Sequence, residues 1–235
     1  MRRDTRDLVL LPGFMCDADL WSGMRTELAA LGRAQFGNVY EDDTLEGMAR
    51  RVLDAAPERF VLIGFSMGGF VARVTALMAP ERVSGIAFIA TSARGSTPAE
   101  EAYKARRLAT LGKARIRADR PEVSARALHP NRERDPALLE RLRAMSRQLG
   151  REVKARQLAL VRRDGYADLE RIACPALVVA CRQDRLRKFE ETERMARHLP
   201  HARFEVIEDC GHMAPMERPA ELAAILGDWI RREAL

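Results

Sequence analysis

The sequence predicts an α/β protein with a mostly parallel sheet covered by helices on both faces, and three observations predict it. Short runs of continuous apolar residues, Leu8–Leu11, Phe60–Phe65, Gly85–Ala90 and Ala176–Cys181, read as strands buried on both faces, not strands with one wet face. Segments with apolar residues at helical spacing separate these runs, so the strands are joined by helical crossovers and lie parallel. At residues 60–71 a strand gives way to a helix within three residues, around the pattern Gly64-Phe65-Ser66-Met67-Gly68.

In chain order, Leu8-Val9-Leu10-Leu11 breaks at Pro12-Gly13, and the loop Phe14-Met15-Cys16-Asp17 follows. Asp17 or Asp19 is placed to cap a helix running to about Leu31. A second strand is read over Gln35–Tyr40. Thr44 starts a helix with Leu45, Met48, Val52 and Leu53 on one face, ending near Pro57. Behind Ser66, the residues Phe70, Val71, Val74, Leu77 and Met78 line a helix that stops at Ala79-Pro80. From Thr97-Pro98 to Asp168 the strands cease. Asp135-Pro136 reads as an N-cap with proline in the first turn, ahead of a stripe of Leu138, Leu139, Leu142, Met145 and Leu149. Other helical pieces fall near Ala99–Leu111, Pro121–Leu128 and Arg151–Arg163, with Gly165 as the stop. The alternation then resumes through Ala176–Cys181, a helix over Glu190–Leu199, a strand over Phe204–Ile207 and a last helix carrying Leu222, Ile225, Leu226, Trp229 and Ile230. Residues 1–95 and 169–235 are therefore expected to form the core, and 96–168 a helical insertion.

At 235 residues, 47% of them apolar, the chain suits one globular domain with a large core. No run approaches the roughly 18 apolar residues of a membrane helix, and the N-terminus lacks the apolar core of a signal peptide. A cytoplasmic location is expected, with no membrane and no nucleic-acid partner. Cys16, Cys174, Cys181 and Cys210 show no metal-ligand spacing and are read as free thiols; no metal or organic cofactor is required. The net charge of +6 rests on 36 Arg against four Lys. Residues 98–168 hold 15 Arg and 3 Lys against 10 acidic residues, so the insertion is basic on a slightly acidic body. Such a surplus either covers solvated helix faces or attracts an anionic partner.

The strand-to-helix turn at Ser66 raises its hydroxyl at a helix N-terminus, where backbone N–H groups favour developing negative charge. A serine hydroxyl needs a base, and the base needs an orienting acid. His212, in the loop after the last strand, is the candidate base. Asp184, three residues past the Leu177–Cys181 stretch, is the candidate acid; both lie at strand C-terminal ends, on the edge where Ser66 sits. His129, His198 and His201 fit less well, and Asp209 is the competing acid. The order Ser…Asp…His is the one expected with this turn.

These pieces resemble the α/β-hydrolase superfamily, in its small capped esterase-like branch. The resemblance rests on Leu10-Leu11-Pro12-Gly13-Phe14-Met15, Gly64-Phe65-Ser66-Met67-Gly68-Gly69, Cys174-Pro175-Ala176-Leu177-Val178-Val179, Arg182-Gln183-Asp184, and Asp209-Cys210-Gly211-His212 followed by Glu217-Arg218-Pro219. It implies a Ser66–His212–Asp184 triad and a cap in the 96–168 insertion. It also implies an oxyanion hole from the N–H groups of Phe14 and Met67, although Pro12-Gly13 stands where the family has His-Gly. With seven residues before Leu8, the family's first two strands are expected to be absent, leaving six strands with the second outside the first. The implied activity is hydrolysis of a carboxylic ester of a small substrate, anionic and carrier-bound esters included. Thioester hydrolysis or acyl transfer, C–C bond hydrolysis, and a ligand-binding receptor on the same fold stay open as alternatives. Arg185, Arg187 and Lys188, just past the acid, either recruit an anionic group or face water.

Overall fold

The computed structural model describes residues 6–111 and 125–235. β1 (Asp7–Leu11) pairs with β2 (Arg33–Phe36) on one side and β3 (Phe60–Phe65) on the other. β4 (Val83–Ile89), β5 (Ala176–Cys181) and β6 (Ala202–Ile207) extend the sheet to the order β2-β1-β3-β4-β5-β6, with every pair parallel.

Alternate side chains of these strands enter two separate cores. Leu8, Leu10, Val61, Ile63, Phe65, Leu177 and Val179 face one side, where they meet Trp21 and Trp229. That side is covered by the 3-10 helix Ala18–Met24, α1 (Arg25–Leu31) and the last helix. Val9, Leu11, Leu62, Phe88 and Val178 face the other, under α2 (Leu45–Ala55) and α3 (Met67–Met78). In the inner strands β1, β3, β4 and β5 both faces are almost wholly buried, which is why these strands read as nearly continuous apolar runs, whereas the edge strands β2 and β6 carry Arg33, Gln35, Arg203 and Glu205. Each large side chain so buried contributes about 1.5–3 kcal/mol.

Several helix ends follow their sequence signals. The Thr44 hydroxyl accepts the Gly47 N–H at 3.0 Å, and Asp135 Oδ1 accepts those of Ala137 and Leu138 at 2.9 and 3.1 Å. Asp17, not Asp19, is the N-cap of the 3-10 helix that leads into α1.

Other expectations are corrected. The second strand is Arg33–Phe36, not Gln35–Tyr40, because Asn38 Oδ1 takes the Tyr40 N–H at 3.1 Å and closes a turn that ends the ladder. Between β4 and β5 lie α4 (Pro98–Leu111), α5 (Pro136–Ala159) and α6 (Tyr166–Leu169). The expected division at Gly150 is present: Gly150 takes φ 77° and ψ −172°, a non-helical break that splits α5 into two helical pieces, but the second piece ends at Ala159 and not at Arg163. Gly165 opens α6 instead of closing a helix, and its lack of a side chain leaves room for the Arg73 guanidinium. Residues 121–124 of the piece expected over Pro121–Leu128 lie outside the described residues. After β5 come α7 (Phe189–His198), then β6, α8 (Ala214–Glu217) and α9 (Pro219–Arg232). No helix among the described residues is long and apolar enough to cross a membrane.

Candidate active site

β3 becomes α3 at Ser66, which takes φ 51° and ψ −112°, a strained conformation for a residue with a side chain. The turn is tight enough that a Cβ on Gly64 would lie 2.7 Å from the Gly68 carbonyl oxygen and 2.8 Å from the Ala72 Cβ. Both backbone polar groups of Ser66 are tied down. Its N–H donates to the Ile89 carbonyl at 2.9 Å, and its carbonyl accepts the Thr91 hydroxyl at 2.7 Å.

Ser66 Oγ lies 2.8 Å from His212 Nε2, and His212 Nδ1 lies 2.7 Å from Asp184 Oδ2. The network assigns the tautomer: Nδ1–H donates to the carboxylate, which leaves Nε2 to accept from the serine. Asp184 Oδ1 meanwhile accepts the N–H groups of Leu186 and Arg187 at 2.7 and 2.9 Å. Burial by itself would raise the Asp184 pKa. The charge and hydrogen bond of His212, with the two backbone donors, outweigh it and hold the carboxyl below its ordinary value. Asp184 is therefore ionised when an imidazolium forms beside it.

The His212 loop is anchored from two sides. The His212 N–H donates to the Ala127 carbonyl at 2.8 Å. Behind it, the fully buried Glu217 carboxylate accepts the N–H groups of His129 (2.8 Å) and Met213 (3.3 Å) and the Nε of Arg132 (3.2 Å). Sequence reasoning quoted Glu217 only as part of a motif and missed this role. The other candidates lie elsewhere. His129 Nδ1 accepts the Asn131 N–H, His198 pairs with Glu170 and His201 is exposed. Asp209 is 3.5 Å from Arg218 and faces water.

Phe14, Met15 and Met67 line a cavity of about 390 Å³ together with Ser66 and His212. Met67 is the first residue of α3, where N–H groups precede the first intrahelical bonds. Met15 takes φ 53°, and its N–H donates to Gln157 Oε1 at 2.8 Å, while Gln157 Nε2 donates to the Val39 carbonyl at 3.2 Å. One buried amide of α5 thus holds the loop that carries Phe14. Nothing in the sequence singled out Gln157, whose helical position reads as surface. The walls are mostly apolar, including Phe65, Phe70, Leu158 and Leu160.

Three of the four thiols are raised above the ordinary value. Burial pushes Cys16, on the cavity wall, up to about 12, and Cys174 up to about 11. The Cys210 hydrogen bond, with burial, raises Cys181. All four cysteines are free. Among the described residues, no cluster of three His, Cys, Asp or Glu is arranged to hold a metal ion. In the basic insertion, the Arg141 side chain reaches Asp19 Oδ2 at 3.1 Å and the Ser22 hydroxyl at 2.6 Å, tying α5 to the 3-10 helix.

The model of the alpha/beta hydrolase family matches residues 8–225. Two relatives described as pimeloyl-(acyl-carrier protein) methyl ester esterases are each 40% identical to the chain. The protein of Citrobacter koseri matches over 97 residues, 36% of each chain, and that of Edwardsiella ictaluri over 95 residues, 37% of each. The chain thus matches just over a third of the length of these relatives. Among solved structures, a thermophilic esterase from Thermogutta terrifontis superposes with a TM-score of 0.87 at 27% identity, over 97% of this chain and 90% of that one. The enol-lactonase from Burkholderia xenovorans LB400, at 20% identity and a TM-score of 0.83 over 98% and 94%, shares the fold. With a match that runs unbroken from β1 into α9, the chain belongs to the alpha/beta hydrolase family.

Proposed function

We propose that this chain is a serine hydrolase that cleaves a carboxylic ester of a small substrate through an acyl-enzyme. The observation that carries the reading is the continuous hydrogen-bond chain from Ser66 Oγ through His212 to Asp184, opening on the cavity. In this reading Ser66 Oγ attacks the ester carbonyl as His212 Nε2 takes its proton. The charge that develops on the carbonyl oxygen is held by the N–H groups of Phe14 and Met67. His212 then protonates the departing alcohol, and Asp184 stabilises the transient imidazolium. Water, deprotonated by the same nitrogen, releases the acid in the second half.

Residues 96–168 serve in this reading as a cap, with Leu158, Leu160 and Gln157 supplied to the cavity wall. The partial relatives are described as acting on a carrier-bound methyl ester, which supports an ester substrate and admits a carrier-bound one. The test is a panel of p-nitrophenyl esters of graded chain length, run beside thioesters of the same acyl groups. The reading expects ester turnover that Ser66→Ala removes by about three to six orders of magnitude. Preference for thioesters at every chain length would move the chain to a thioesterase.

A further inference from the structure

The cavity is cationic. Lys104, Arg107, Lys154, Arg162 and Arg187 line it, and no aspartate or glutamate among the described residues does. Most of these cations have partners of their own. Lys104 bonds Glu101 and the Leu160 carbonyl, Arg162 holds the Ser96 hydroxyl and Glu100, and Arg107 and Lys154 are also engaged.

Arg187 differs. Among the described residues its buried Nε has no hydrogen-bond partner, and its guanidinium makes a single bond, from Nη1 to the neighbouring Leu186 carbonyl at 3.3 Å. Arg73 and Arg185 also have a buried, unpartnered Nε, but each grips a carboxylate, Asp168 at 2.7 Å and Glu133 at 2.9 Å. Among the described residues Arg187 has no carboxylate within salt-bridge distance. The acids nearest to it in charge interaction, Asp184, Glu100 and Glu191, are committed elsewhere. Asp184 serves His212, Glu100 serves Arg94 and Arg162, and Glu191 serves Arg94.

A like charge stands beside it. The guanidinium carbons of Arg162 and Arg187 lie 5.1 and 5.6 Å from the centre of the same Phe70 ring. Burial, then repulsion from Arg162, pushes the Arg187 pKa down to about 10, so it stays charged at neutral pH. A charge taken out of water without a counter-ion is costly, and this one faces a ligand cavity.

We propose that Arg187, with Arg162 beside it, binds a carboxylate on the substrate, so that the preferred ester is a half-ester of a dicarboxylic acid. The proposal rests on the reading of Ser66 as nucleophile. The geometry sets the scale of the ligand. The backbone of Arg187 is bonded to Asp184, and Phe70 lies one helical turn after Ser66, so the anion and the scissile carbonyl sit within one small molecule. The planar guanidinium fork suits a carboxylate held by two parallel bonds.

The test takes wild type, Arg187→Met and Arg187→Lys, each with mono-p-nitrophenyl glutarate and with p-nitrophenyl valerate. The readout is the ratio of the two kcat/KM values, measured on one sample so that any loss of folded protein cancels. Wild type should favour the half-ester. Arg187→Met should lower the ratio by roughly 10- to 100-fold, mainly through KM, the range of a charge-assisted pair. Arg187→Lys should recover part of it. A ratio unchanged within about twofold in Arg187→Met overturns the proposal.

A binding arm separates this from the catalytic reading. Ser66→Ala is titrated calorimetrically with glutarate and with inorganic phosphate, with and without Arg187→Met. Glutarate binding that Arg187→Met abolishes supports the subsite even if no ester is turned over. Neutral-ester turnover without glutarate binding overturns the subsite and leaves the hydrolase reading standing. Phosphate binding as tightly as glutarate overturns the carboxylate assignment.

Discussion

Replacing Asp184 by asparagine exchanges one oxygen for an amino group at the far end of the Ser66–His212–Asp184 chain. The asparagine carbonyl oxygen can keep the bonds from the Leu186 and Arg187 N–H groups, so the loop should hold its shape. Its NH2 then falls 2.7 Å from His212 Nδ1, the position now occupied by Oδ2. A donor there requires Nδ1 to accept, which places the imidazole proton on Nε2, 2.8 Å from Ser66 Oγ. The nitrogen that should take the serine proton already carries one. A wrong tautomer of this kind costs about 10⁴ in kcat, or about 5.4 kcal/mol at about 1.36 kcal/mol per decade. KM should change little, because Asp184 does not line the cavity. Steady-state kinetics with p-nitrophenyl butyrate, beside circular dichroism to establish folding, measures the effect. Asp209→Asn is the control: that side chain is exposed, so stability should stay within about 0.5 kcal/mol and kcat within about twofold. If Asp209→Asn proved the more damaging change, the assignment of the acid would be wrong.

Three further outcomes follow from the geometry. Gly64→Ala places a Cβ against backbone and Ala72, which should cost about 1–3 kcal/mol, at about 2–4 °C of Tm per kcal/mol, with loss of esterase activity; an unchanged Tm would contradict the tight turn. Gln157→Leu leaves the Met15 N–H and the Val39 carbonyl unsatisfied, so stability should fall by about 1–3 kcal/mol and kcat by roughly tenfold as the Phe14 loop loosens; kcat equal to wild type would exclude a role for Gln157 in that loop. Glu100 is held down to about 2, chiefly by the hydrogen bond from Arg94, against burial and with help from the Thr97 N–H and Arg162. Its folded pKa lies below the ordinary value of 4.5, so its contribution is present above about 4.5 and is lost as pH falls toward 2. Glu100→Gln should flatten the acid side of the Tm–pH curve in that window, modestly because solvent screens a partly exposed group, and an identical slope would show that the Arg94–Glu100 contact does not couple to folding.

The parts of the fold legible in the sequence are those specified locally. Continuous apolar strands report burial on both faces. The Gly64-to-Gly68 spacing reports a turn that only residues without side chains permit. Asp135 and Thr44 report their own caps because an N-cap is satisfied within three residues. What the sequence hid depends on groups distant along the chain. Gln157 meets Met15 and Val39 across more than a hundred residues, and no periodicity marks such a contact. The break in α5 was legible because Gly150 can take the non-helical φ 77° that separates the two helical pieces. The second strand starts two residues and ends four residues earlier than expected, because the side chain of Asn38 closes a turn just after it. Arg187 was visible as a charge near the acid, but its lack of a counter-ion emerges only when Asp184, Glu100 and Glu191 are all seen to be engaged.

The central claim is that Ser66 itself becomes acylated. Rapid acid quench of wild type during turnover of p-nitrophenyl butyrate, followed by peptide mass spectrometry, tests it directly. The account predicts a butyryl group on the peptide containing Ser66, accumulating within the first turnovers, absent in Ser66→Ala and strongly delayed in Asp184→Asn. Turnover with no adduct at Ser66, or an adduct on another residue that survives in Ser66→Ala, would contradict it.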